Sequence, residues 1–100
     1  MKLHILDAVN KFLESITDED SAKIAAHLKS LQDNRTEGLI IKPLQGKIKE
    51  IAIRQYRVVF FVTGAAGYAV AAFKKQSKKT PKRVIEQAER ILRDITSRTI

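Results

Sequence analysis

Six of the ten residues from Lys74 to Arg83 are basic: Lys74, Lys75, Lys78, Lys79, Lys82 and Arg83. Cations this dense repel one another. The Thr80-Pro81 pair inside the run predicts a helix start, with Thr80 as cap and Pro81 at the first helical position, and a helix N-terminus itself favours anions. A phosphate backbone would relieve that repulsion, although a solvated loop has the same composition. A second basic group, Lys47, Lys49, Arg54 and Arg57, is interleaved with Ile48, Ile51 and Ile53. If the isoleucines face a core, some of these cations project from the opposite face of a sheet, as a phosphate platform or as the polar side of an amphipathic sheet.

Cations so placed suit cleavage of RNA by its own 2′-hydroxyl. Attack on the adjacent phosphorus builds charge on the non-bridging oxygens, and losing one donor to such an oxyanion costs about 3–4 kcal/mol. A phenol such as Tyr56 and the carboxylate Glu50 are the other groups available. No metal or cofactor is expected: His4 and His27 lack a clustered third ligand, and the sequence has no HExxH, no phosphate-loop glycine motif and no Gly-flanked serine.

The elements that must position these residues follow from periodicity. Met1 to Leu6 reads equally as a strand or a lead-in to a helix. Ala8, Val9, Phe12, Leu13 and Ile16 share one helical face over Asp7–Ile16. Thr17, followed by Asp18, Glu19 and Asp20, predicts the cap of a second helix running to about Asn34, and the two helices form a hairpin. After Gly38 comes an apolar stretch around Lys42 and Pro43, then a Gln45-Gly46 turn, then strands at 48–53, 56–63 and 68–73, with Gly64–Gly67 as a further turn. The last helix carries Val84, Ile85, Ala88, Ile91, Leu92 and Ile95 on one face. The expectation is an α+β fold over residues 1–100, a single domain. Helices cover one face of an antiparallel sheet of three to four strands, and the other face is left for a ligand.

Composition agrees with one packed domain, 44% hydrophobic and 30% charged. The absence of cysteine rules out disulfides and thiolate metal sites. No apolar stretch approaches the roughly 20 residues of a membrane span, and the N-terminus does not read as a signal peptide, so a cytoplasmic protein is expected. The net charge of +8 is divided unequally: residues 1–46 hold 6 Lys+Arg and 7 Asp+Glu, whereas residues 47–100 hold 13 and 4. The second half carries the field that attracts polyanions.

Gly46-Lys47-Ile48-Lys49-Glu50-Ile51, Tyr56-Arg57-Val58-Val59-Phe60-Phe61 and Phe73-Lys74-Lys75-Gln76-Ser77-Lys78-Lys79-Thr80-Pro81, with Ala88 on the following helix, together resemble the phage-derived HigB-like branch of the RelE/ParE toxin superfamily. The resemblance spans about residues 39–95. It implies a RelE-like fold and a type II toxin that enters the ribosomal A site, cleaves mRNA there, and is neutralised by a helix-turn-helix antitoxin, meeting operator DNA only through that complex. By the same resemblance, Arg57 is similar to the family arginine at the scissile phosphate, and Lys75 and Lys79 belong to its basic segment. Lys49 and Arg54 complete the candidate catalytic set; Lys47, Lys74, Lys78, Lys82, Arg83 and Tyr56 are candidate RNA-binding residues. Two positions depart from the pattern: Ala52 stands where an arginine is expected and Ala71 where a histidine is frequent. Arg54 is the candidate replacement for the former. A ParE-like gyrase inhibitor and a degenerate toxin acting as a non-catalytic binding module are the alternative readings.

Overall fold

The computed structural model describes residues 1–98. In chain order the elements are β1 (Lys2–Ile5), α1 (Asp7–Glu14), α2 (Asp18–Gln32), β2 (Ile40–Gln45), β3 (Ile48–Ile53), β4 (Tyr56–Thr63), β5 (Ala66–Lys74) and α3 (Lys82–Arg98). The five strands form one open sheet in the order β1-β5-β4-β3-β2. The architecture is α+β as expected, but the sheet has five strands rather than three to four, and it is mixed rather than antiparallel. The extra strands are the short N-terminal β1, which runs parallel to β5, and the Pro-containing β2, which forms the far edge. Pro43 lacks an N–H, and an edge strand tolerates that loss.

Successive antiparallel strands are joined by two-residue turns, at Gly46-Lys47, Arg54-Gln55 and Gly64-Ala65. In each, the first residue has a left-handed φ, of 54°, 54° and 62° respectively. Glycine adopts that conformation freely, whereas at Arg54 the Cβ makes it strained by about 1–2 kcal/mol.

The layers also differ from expectation. α1 and α2 cover one face, where Val9, Ile24, Leu28 and Leu31 pack with Ile51, Ile53, Tyr56, Val58 and Phe60. The other face is not left open. α3 lies across it, and Val84, Ala88, Ile91, Leu92 and Ile95 pack with Ile48, Val59, Phe61 and Val70. Both faces of the central strands are therefore apolar, which explains the unbroken run Val58–Phe61; burying each such side chain contributes about 1.5–3 kcal/mol. Among the described residues no helix is long and apolar enough to cross a membrane.

Thr17 caps α2 as expected, its Oγ1 accepting from Asp20 N at 3.2 Å. At α3 the expectation fails. The Pro81 carbonyl accepts the first helical bond, from Val84 N at 3.0 Å, which makes Pro81 the cap, and the Thr80 hydroxyl is directed elsewhere.

Candidate functional site

α3 packs across the middle of its face, and the segment before it reaches one end through the Thr80–Glu50 contact. Register places Ile40, Ala52, Arg57 and Phe73 in one cross-strand row there, spanning β2, β3, β4 and β5. Ile40 is 68% exposed, and the other three are half-buried. The next row on the same face holds Lys42, Glu50, Val59 and Ala71.

Glu50 is the one buried charged residue among those described, 4% exposed. A carboxylate so buried needs partners. It accepts a hydrogen bond from Thr80 Oγ1, and its Oε2 lies 3.9 Å from Arg57 Nε. Arg57 Nη1 donates to the carbonyls of Arg54 and Tyr56, at 2.9 and 2.7 Å. The guanidinium is thus anchored through Nη1 beside the Glu50 carboxylate, while Nη2 makes no hydrogen bond among the described residues. An anchored guanidinium with one edge unspent is a pre-organised donor for a phosphate oxygen.

The Thr80–Glu50 contact also ties the basic segment to this end of the sheet. Lys75 N donates to the Gln55 carbonyl at 2.7 Å, beside the β3–β4 turn, and Ser77 Oγ donates to the Lys79 carbonyl. Lys74, Lys79 and Arg83 line a cleft of about 340 Å³ together with Phe12 and Phe73, and Phe73 is the direct cross-strand partner of Arg57. Lys78 and Lys82 are exposed on the same segment.

Four of the residues singled out from sequence lie elsewhere. Lys49 stands opposite Phe60 and so projects from the face that carries α1 and α2, not from that of Arg57. With Lys47 and Val62 it borders a separate hollow. Arg54 is turned towards the start of α2, where Nη1 lies 3.3 Å from Asp20 Oδ1 and 3.8 Å from Glu19 Oε1, so it does not fill the place of the missing arginine. Tyr56 donates its phenolic proton to Asp20 Oδ2 at 2.6 Å on that same side. This bond, together with burial and the nearby Asp20 charge, raises the Tyr56 pKa above its ordinary value. Thr80, Phe73, Phe12 and Asp20 are positioning or lining residues that the sequence reading did not single out as such. Thr80 resembled a cap, and Phe73 and Phe12 resembled ordinary core residues.

Among the described residues, no three His, Asp or Glu side chains gather closely enough to hold a metal ion. What this end of the sheet offers chemically is cationic charge around one buried carboxylate. The sequence matches, over residues 11–93, the family described as Phage derived protein Gp49-like (DUF891). The chain belongs to that family. The Gp49-like family is a RelE/ParE-like toxin family. No curated protein matches the chain.

Proposed function

We propose that this Gp49-like chain is the toxin of a type II toxin-antitoxin pair, of the HigB-like kind, which cleaves mRNA on the ribosome in the cytoplasm without a metal ion. The observation that carries this reading is the anchored Arg57 guanidinium, held beside Glu50 at the end of the sheet where the Thr80–Glu50 contact ties down the basic segment. In the proposed reaction the RNA 2′-hydroxyl attacks the adjacent phosphorus. Arg57, with Lys75 and Lys79, stabilises the charge that develops on the phosphoryl oxygens, and Glu50 holds Arg57 in place. A helix-turn-helix antitoxin is the proposed inhibitor, with ribosome and mRNA as the partners in action.

Ala52 and Ala71 give independent support to a second reading. Both lie on the Arg57 face, Ala52 directly opposite Arg57 and Ala71 opposite Val59 in the next row. The family arginine and histidine would each stand there. Their absence fits a weakened toxin retained for binding.

Induced expression followed by mapping of mRNA 5′ ends tests the proposal. Codon-associated cuts in translated messages are expected from the native chain, with a loss of roughly 10²–10³-fold in Arg57→Ala. Intact mRNA with a ribosome-bound protein would favour the binding reading; intact mRNA with inhibited supercoiling would point to gyrase.

A further inference from the structure

Phe12 and Phe73 come from opposite sides of the sheet. Phe12 on α1 sits edge-on to Tyr56, with ring centroids 5.7 Å apart, and packs against the α1/α2 core. Phe73 packs against the α3 core. Both border one cleft beside β5, beyond the reach of β1, which pairs only with Ala66–Ala69. Neither ring is fully buried, and both line the same cleft as Lys74, Lys79, Arg83 and Gln76. Rings left half-covered inside a cationic cleft serve the core poorly. Aromatic faces flanked by Lys and Arg are, however, what a single-stranded nucleic acid uses for base stacking and phosphate neutralisation.

We propose that this cleft binds one unstacked base of single-stranded RNA, the nucleotide adjoining the phosphate held at Arg57. The inference rests on the nuclease reading only for the identity of that phosphate. Cross-strand pairing puts Phe73 beside Arg57, so a strand held by the guanidinium presents its neighbouring base to the cleft. Phe73 and Phe12 supply stacking surface; Lys74, Lys79 and Arg83 take the flanking phosphates. Gln76, exposed and with no hydrogen bond of its own among the described residues, offers an amide donor and acceptor to the edge of the base. An acidic peptide would satisfy the cations but would leave the two rings and the amide unused.

The test uses the full chain and an uncleavable 2′-O-methyl trinucleotide with 2-aminopurine at its centre, whose fluorescence is quenched on stacking. Binding is followed by anisotropy and stacking by emission. The native chain is expected to bind with quenching. Phe73→Leu is expected to lose the quench and weaken binding by about tenfold, with its circular dichroism unchanged. Arg57→Ala should weaken binding while the bound probe stays quenched. Gln76→Ala, an exposed change that does not threaten folding, is expected to narrow the affinity difference between trinucleotides with different central bases. Binding without quenching would overturn the proposal, as would a quench that persists in Phe73→Leu. Displacement of an unquenched probe by an acidic peptide would overturn it in favour of a protein ligand. Because the probe cannot be cleaved, these results stand apart from the presence or absence of mRNA cutting.

Discussion

The Thr80 hydroxyl donates a hydrogen bond to the buried carboxylate of Glu50, thirty residues earlier in the chain. This bond joins the basic segment before α3 to the strand beside Arg57. Thr80 itself stands one residue ahead of the cap, Pro81, whose carbonyl accepts the first helical bond.

Replacing Thr80 with valine keeps the shape and removes the donor. Among the described residues Glu50 would then keep only the Arg57 contact at 3.9 Å, beyond hydrogen-bonding range. Thr80→Val is expected to lower unfolding free energy by about 1–3 kcal/mol, the cost of leaving a buried acceptor unpaired. Thr80→Ser should remain near the native value. Urea denaturation measures both, and equal midpoints for valine and serine would show that the bond does not hold the segment.

Ala52 faces Arg57 across β3 and β4. Under the nuclease proposal, Ala52→Arg adds a second guanidinium where phosphoryl charge develops. Cleavage should rise by about 10- to 100-fold, with little change in stability. Quantitative mapping of mRNA 5′ ends at matched expression reads the change; an unaltered cut frequency would mean that the alanine does not limit the reaction.

Tyr56 should reveal its bond to Asp20 in alkali. Its pKa is raised above the ordinary value of 10.0, chiefly by donating to Asp20, then by burial and the Asp20 charge. A raised pKa favours the protonated phenol in the folded state. Its contribution to stability is therefore complete below pH 10, where the unfolded chain also keeps the proton, and is lost as pH rises from there through the folded value. Asp20→Asn removes the charge and weakens the acceptor, so tyrosinate absorbance for this residue should appear at lower pH than in the native chain. Coincident titration curves would deny the coupling.

The lysines divide by face. Lys75 and Lys79 lie in the segment held at the Arg57 end, whereas Lys47 and Lys49 border a hollow elsewhere. Changing Lys75 and Lys79 to glutamine should reduce the salt dependence of RNA binding, the log–log slope falling by about 0.7 for each phosphate no longer neutralised. The same change at Lys47 and Lys49 should leave the slope unaltered. Anisotropy titrations at several salt concentrations separate the pairs, and equal losses would place RNA on both faces.

Much of the fold is legible in the residues alone. The Thr17 cap, the turns at Gly46 and Gly64, three of the strands and the amphipathic face of α3 all follow from local rules. β1 and β2 do not, because a four-residue strand has too little periodicity and Pro43 masks an edge strand. Nor does the side on which α3 packs: a single amphipathic stripe says that a helix must cover something, without saying which face of the sheet it covers. The run Val58–Phe61, apolar on both sides, says only that both faces of its strand must be covered.

By itself the sequence determined the charge imbalance, the order of the helices and of the three central strands, and the residue types able to grip a phosphate, since these depend on composition and on neighbours within one turn or strand. Only the tertiary structure decided which cations meet. Strand alternation sends successive side chains to opposite faces, so a single residue of register separates Lys49 from Glu50 and Arg57. Two-residue turns set that register, one of them through a strained Arg54 held by acids from a distant helix.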